Sequence, residues 1–167
     1  MRFPTKGSGT LRVFDRFVED EHERLFKALY FITGNRQDAE DLAQDAFLKL
    51  WERWDRIDQI HDPTGYLFRV ALNGFRMQRR RATMAARKVL PTARRSDAFE
   101  EVEQHTDLRR LLLGLTPRQR AAILLMDLLG YASDEAAQIL GVRSSTVRTL
   151  ASQARRAIKA ADGSSDA

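Results

Sequence analysis

The stretch from Ala132 to Ala160, ASDEAAQILGVRSSTVRTLASQARRAIKA, constrains the chain most. It holds two short runs with apolar residues at helical spacing. Ala136, Ala137, Ile139 and Leu140 form the first, and Val147, Leu150, Ala151, Ala154 and Ile158 the second. Between them, Leu140-Gly141-Val142 makes a tight break in which glycine suits a positive φ. The small side chains of Ala136 and Ala137 let a second helix cross closely, and Val142 can fill the angle between the two. This is the pattern of a helix-turn-helix, whose second helix enters the major groove of DNA. Charge points the same way: from Arg143 to Ala160 the chain carries Arg143, Arg148, Arg155, Arg156 and Lys159 and no acid. A helical hairpin in an ordinary bundle has the same spacing, but it gives no reason for a wholly basic second helix.

A chain of 167 residues makes one medium domain or two small ones. Its hydrophobic content of 43% supports real cores, and its net charge of +5 favours an acidic partner such as nucleic acid or an anionic membrane. Without cysteine there are no disulfides or thiolate metal sites, and three scattered histidines do not make a zinc site. No metal or other cofactor is expected. No apolar run approaches the roughly 18 residues of a membrane span. The opening MRFPTKGSGT has no apolar stretch of the secretory kind, so a cytoplasmic protein is expected.

In chain order, Met1 to Thr10 reads as a loose lead, and helical patterning begins near Leu11. Phe14, Phe17, Val18, Leu25, Leu29 and Ile32 can share a face before Gly34-Asn35 breaks the pattern. From Arg36 to Ile57, an apolar stripe of Ala39, Leu42, Ala43, Ala46, Leu50, Trp54 and Ile57 predicts a second helix, with Asp38 and Glu40 in its first turn. Phe47 and Trp51 flank the stripe and read as core. Asp41, Gln44, Asp45 and Leu48 fall off it, either as a solvated face or as a contact surface for a basic protein. Asp62-Pro63 marks a further helix start. Beyond it Leu67, Val70, Ala71 and either Phe75 or Gly74 are expected to face inward. Tyr66, Phe68, Arg69, Asn73, Arg76, Arg79, Arg80 and Arg81 would then occupy the other sides. No acid occurs between Arg69 and Arg95. Aromatics interleaved with arginines suit unpaired bases and phosphates, whereas a basic amphipathic helix on a membrane surface is the plainer alternative. Asn73 beside Gly74 weakens a helix, which suggests a hydrogen-bonding task for Asn73.

Residues 87–107 read as a linker that turns acidic through Asp97, Glu100, Glu101, Glu103 and Asp107, either a solvated spacer or a segment that docks in a groove. A short helix ends at Leu111-Leu112-Leu113, with Gly114 as its C-cap. Thr116-Pro117 opens another, carrying Ala121, Ile123, Leu124, Leu125 and Leu128 towards Gly130. The tail ADGSSDA reads as disordered. There is no glycine-rich phosphate loop, no His/Glu metal spacing and no serine in a nucleophile context, so neither an enzyme nor a small-molecule substrate is expected. The expected fold is all-α: two small helical domains, 11–86 and 108–160, joined by a flexible linker.

These motifs, in this order, resemble those of the extracytoplasmic-function (ECF) sigma factors, the smallest sigma-70-type initiation factors of bacteria. DAEDLAQDAFLKLW resembles their region 2.2, and DPTGYLFRVALNGFRMQRRR their regions 2.3 and 2.4. LTPRQRAAILLMDLLGYASDEAAQILGVRSSTVRTLASQARRAI resembles region 4. The resemblance covers about 14–85 and 108–160. It implies that core RNA polymerase and promoter DNA are partners. Asp41, Gln44, Asp45 and Leu48 would meet the clamp of the largest subunit, while region 4 would meet the flap of the second. Asn73 would capture a flipped base of the −10 element, supported by Tyr66, Arg69 and Arg76, with Arg79, Arg80 and Arg81 on phosphates. Ser144, Arg148, Thr149, Ser152 and Gln153 would face the −35 element, with Arg148 as chief reader and Arg155 and Arg156 on the backbone. An anti-sigma protein is also implied, one that can hold the chain at the inner face of the membrane.

The chain departs from the family pattern at several places. Ala132 and Arg143 stand where caps are common, so the caps have either moved to Ser133 and Ser144 or been lost. Leu150 and Gln153 replace frequent arginines, Met77 a frequent acid, and Tyr66 a frequent tryptophan. Two other functions compete with the sigma reading. One is a free-standing regulator that normally dimerises on a palindrome. The other is a recombinase or nuclease, which needs catalytic residues that the first domain does not offer.

Overall fold

The computed structural model describes residues 8–86 and 106–163, and no strand occurs among them. Among the described residues seven α-helices run in order: α1 (Ser8–Thr33), α2 (Arg36–Glu52), α3 (Pro63–Ala86), α4 (Thr106–Leu113), α5 (Pro117–Ile123), α6 (Ser133–Leu140) and α7 (Ser144–Gly163). A 3-10 turn, Trp54–Gln59, follows α2, and a π turn, Leu124–Leu128, continues α5. The chain forms an all-α fold of two compact units. Among the described residues one unit takes 8–29 and 37–86, and the other 30–36 and 106–163. The expected linker up to residue 105 and the last four residues of the tail lie outside the described residues.

In the first unit, most of the expected apolar positions of α1 and α2 are buried, while Phe17 and Val18 are half-buried. Of the buried ones, Phe14, Leu25 and Leu29 come from α1, and Ala39, Leu42, Ala43, Ala46 and Leu50 from α2. Phe47 and Trp51 join that core. Phe14 is clamped between Trp51 and Trp54, with ring centroids 4.8 and 4.9 Å away. Such tilted and edge-on pairs add about 0.5–1.5 kcal/mol each beyond the area they bury. The α2 pattern does not continue unbroken to Ile57. The helix stops at Glu52, and the 3-10 turn brings Trp54 onto Phe14.

α3 begins as its sequence predicts: Asp62 Oδ1 accepts from the amide of Gly65 at 2.9 Å, with Pro63 at the first position. Its buried face is wider than expected. Leu67, Phe68, Ala71 and Leu72 are buried, whereas Val70 and Phe75 are half-buried. Phe68 therefore belongs to the core and not to the outer aromatic set, because positions one and five residues after Leu67 widen the apolar stripe. Gly74 has a packing role: a Cβ there would meet Leu42 Cδ2 at 3.0 Å, so glycine permits the close approach of α3 to α2.

In the second unit, α4 starts at Thr106, so Asp107, expected to end the linker, lies in its first turn. Gly114 follows α4 without a positive φ; its amide turns back to the Arg110 carbonyl at 3.3 Å. The start of α5 is capped reciprocally. Thr116 Oγ1 accepts from the Gln119 amide at 3.3 Å, and Gln119 Oε1 accepts from the Thr116 amide at 3.0 Å. The π turn then shifts the pattern, and Leu128, the last of this run's apolar residues, is 65% exposed. Gly141 takes the left-handed conformation (φ 64°) between α6 and α7. α7 packs on α5 and α6 through Val147, Ala151 and Ala154, all fully buried. It continues to Gly163, three residues into the expected tail.

Candidate nucleic-acid interface

α7 presents two opposite faces. Val147, Ala151 and Ala154 form the inner one, and Ser145, Arg148, Thr149, Ser152 and Arg156 line a shallow open groove on the outer one. The outer set recurs at three- and four-residue steps, so it forms one stripe along the helix. Of the residues expected to read DNA, Arg148, Thr149, Ser152, Gln153, Arg155 and Arg156 are exposed and Ser144 is half-buried. Arg148 Nη1 lies 3.3 Å from Ser133 Oγ and 3.4 Å from Ser144 Oγ, so two hydroxyls hold its guanidinium at the start of the stripe. Thr149 Oγ1 donates back to the Ser145 carbonyl at 3.0 Å.

Two of these residues have partners elsewhere in the unit. Gln153 Oε1 accepts from Gln119 Nε2 of α5 at 3.3 Å. Arg155 grips Asp127 with both prongs of its guanidinium, Nε to Oδ2 at 2.8 Å and Nη2 to Oδ1 at 2.5 Å. These hydrogen bonds, aided by the arginine's charge and opposed by partial burial, hold the Asp127 carboxyl below the usual carboxylate range. Asp127 is a residue that sequence spacing did not single out.

The caps did not migrate. Ala132 is the N-cap of α6, and since alanine has no acceptor, only half of a capping box forms: Glu135 Oε2 accepts from the Ala132 amide at 2.8 Å. The first backbone bond of α7 runs from the Val147 amide to the Arg143 carbonyl at 3.2 Å, so Arg143 stands at the capping position.

On α3, the outer face carries the expected cations. Arg69, Asn73, Arg76, Arg79, Arg80 and Arg81 are exposed, and Tyr66 is half-buried. Asn73 Oδ1 accepts from Arg76 Nη2 at 2.8 Å, which leaves its amide NH2 as the outward donor. Two guanidinium groups lie over the Tyr66 ring, Arg69 at 5.5 Å and Arg53 at 5.7 Å from its centroid. Arg53 joins this cluster from the break between α2 and the 3-10 turn, a position the helical pattern could not reveal. Arg79 lies 5.9 Å from the Phe75 ring centroid.

α2 carries a third surface. Asp41, Gln44, Asp45 and Leu48 are exposed at three- and four-residue steps, opposite the buried stripe. Gln37 Nε2 donates to Asp41 Oδ1 at 2.9 Å. Leu48, 37% exposed, sets an apolar patch beside two carboxylates. Among the described residues no group of three or more His, Cys, Asp or Glu is placed to hold a metal, and no helix is long and apolar enough to cross a membrane.

The family model for sigma-70 region 2 matches residues 17–84, and that for sigma-70 region 4 matches residues 105–158. The ECF RNA polymerase sigma factor SigE of Mycolicibacterium smegmatis is 28% identical over 158 residues, covering 87% of this chain and 60% of SigE. The ECF RNA polymerase sigma factor SigM of Mycobacterium tuberculosis is 28% identical over 154 residues, covering 89% of this chain and 76% of SigM. The RNA polymerase sigma-E factor of Streptomyces avermitilis is 30% identical over 148 residues, covering 84% of this chain and 80% of that protein. This chain thus spans 60% of the length of the first of these relatives and 76% or more of the other two. Among solved structures, the sigma factor RpoE from Bartonella quintana, in complex with the anti-sigma factor NepR, matches with a TM-score of 0.70 at 22% identity, over 89% of this chain and 95% of that one. CnrH, in complex with the cytosolic domain of CnrY, matches with a TM-score of 0.62 at 24% identity, over 94% and 92%. At these identities the structural likeness establishes the fold alone.

Proposed function

Because the chain belongs to the ECF sigma factors of the sigma-70 family, we propose that it binds core RNA polymerase and directs it to promoters through α3 and α7. The observation that carries this reading is the joint presence, in the unit matching region 2, of an acidic face on α2 and an arginine-aromatic face around Asn73 on α3. A free-standing DNA-binding regulator has no use for the first.

In this reading Asp41, Gln44, Asp45 and Leu48 dock on the clamp of the largest polymerase subunit, while the second unit meets the flap of the second subunit. Asn73 captures an unpaired base of the −10 element. Arg76 accounts for one side of its amide and so fixes which edge the base meets. Tyr66, with Arg53 and Arg69 close to its ring, supports the melted strand, and Arg79, Arg80 and Arg81 hold its phosphates. Capture offsets the few kcal/mol that unstacking a base costs. Arg148, with Ser144, Thr149, Ser152 and Gln153 around it, reads the −35 element, and Arg156 contacts the backbone. Carrying two DNA-reading surfaces on one chain makes the second contact intramolecular, which raises avidity without new contacts. The factor is not itself a catalyst; polymerase supplies the chemistry. It acts in the cytoplasm and is restrained there by an anti-sigma protein, as the similar RpoE from Bartonella quintana is a sigma factor in complex with the anti-sigma factor NepR.

Transcription from a randomised promoter library, with core polymerase and the full chain, tests this. Start sites sharing one −35/−10 pair support the reading. DNA binding without any stimulation of core polymerase overturns it in favour of a free-standing regulator.

A further inference from the structure

We propose that Arg155 is a positioning residue, which with Asp127 braces the reading helix α7 against the π turn after α5 and leaves phosphate contact to Arg156. The proposal rests on the sigma-factor reading of α7.

The fully buried positions of α7 are Val147, Ala151 and Ala154, with Leu150 and Ile158 half-buried beside them. The two alanines let helices approach closely but form low ridges, so packing alone fixes the rotation of α7 less firmly than long interlocking side chains would. Each residue turns the helix by about 100°, so rotation by a fraction of that would turn Arg148, Thr149 and Ser152 away from the DNA. Directional polar contacts supply the missing constraint. Gln153 is tied to Gln119 near the start of α5 at 3.3 Å, and Arg155 to Asp127 in the π turn at its other end. The bidentate fork is the more directional of the two, because both donors must stay coplanar with the carboxylate.

The π turn is what brings Asp127 to this place. The Leu129 amide bonds to the Leu124 carbonyl at 2.9 Å, one residue further back than in an α-helix. That extra residue rotates the following side chains, leaving Leu128 exposed and Asp127 beside α7. An isolated exposed ion pair contributes little, but bidentate geometry is the recognised exception. A guanidinium so held must also abandon a carboxylate before it can take a phosphate, and the Asp127 charge beside it repels the phosphate. Arg156, by contrast, lines the open groove with Arg148.

The salt dependence of promoter binding separates the two roles. Holoenzyme assembled from core polymerase and the full chain is titrated onto one promoter duplex taken from the library selection, across a range of salt concentrations. Arg156→Gln is expected to flatten the log-log salt slope by about 0.9, as loss of one phosphate contact does. Arg155→Gln is expected to weaken binding about fivefold with the slope unchanged, Asp127→Asn to do the same, and the double variant to be no worse than either. The charge-swapped pair, Asp127→Arg with Arg155→Asp, keeps the test sharp if a single variant folds poorly. A brace regains most of the affinity, whereas a lost phosphate contact cannot be regained by putting an acid on the DNA-facing helix. A slope change of about 0.9 for Arg155→Gln, with tighter binding for Asp127→Asn, overturns the brace and leaves the reading of α7 intact. Unchanged affinity and slope in all variants, Arg156→Gln included, overturns both.

Discussion

Gly141 sets the angle of the helix-turn-helix, and replacing it tests that geometry with a calculable cost. The residue sits at φ 64° and ψ 38°, in the left-handed region. The next amide, that of Val142, donates to the Ala137 carbonyl at 3.1 Å, closing the six-to-one bond of a Schellman turn. A β-carbon in this conformation crowds the following carbonyl, which costs an L-residue roughly 1–2 kcal/mol. The Gly141→Ala variant should therefore lose about 1 kcal/mol or slightly more. Asparagine tolerates the left-handed region better, so Gly141→Asn should lose less. For a unit of this size, each kcal/mol lowers the midpoint of thermal unfolding by about 4–8 °C. Differential scanning calorimetry of the full chain should show the alanine variant unfolding several degrees earlier in the transition of the second unit, with asparagine between it and wild type. An unshifted midpoint for Gly141→Ala, or equal shifts for alanine and asparagine, would refute a turn that depends on left-handed backbone.

Acid should reveal the Asp127–Arg155 pair. The folded state lowers the Asp127 pKa, so its contribution is fully present above the unfolded value, about 3.9, and is lost as pH falls through the lower folded one. The unfolding midpoint of Asp127→Asn should thus lie below wild type by a constant margin near neutral pH, and the gap should close in acid. Because the pair is half exposed, that margin should correspond to no more than about 1 kcal/mol. Arg148→Ala should relax promoter choice at a single −35 base pair by about 1–3 kcal/mol, measured by library transcription, with the other positions unchanged.

Local chemistry was legible in the sequence wherever neighbours in the chain decide it. The caps at Asp62 and Thr116, the turn at Gly141 and the buried stripes of α2 and α7 each follow from side chains within four residues of one another. Other placements have a different cause. Phe68 lies inward because the contact face of α3 is wider than a single stripe, and Leu128 lies outward because a π turn changed the phase of α5. Trp54 reaches Phe14 only because α2 breaks at Glu52. In the candidate interfaces, the outer residues of α2, α3 and α7 were accessible to pattern. Their partners were not: Asp127 is 28 residues from Arg155, and Arg53 meets Tyr66 from a different element. Spacing along one helix carries no information about such pairs.

The central claim is that the acidic face of α2 attaches this chain to polymerase. The most direct measurement is capture of purified core RNA polymerase by the immobilised full chain, beside a variant carrying Asp41→Arg and Gln44→Ala. Both positions are exposed, so the variant should fold, which the helical circular dichroism of the two proteins checks. Wild type should retain core, and the folded variant should not. Equal retention by both would contradict the placement of the contact on α2, and failure of wild type to retain core would contradict the sigma-factor function itself.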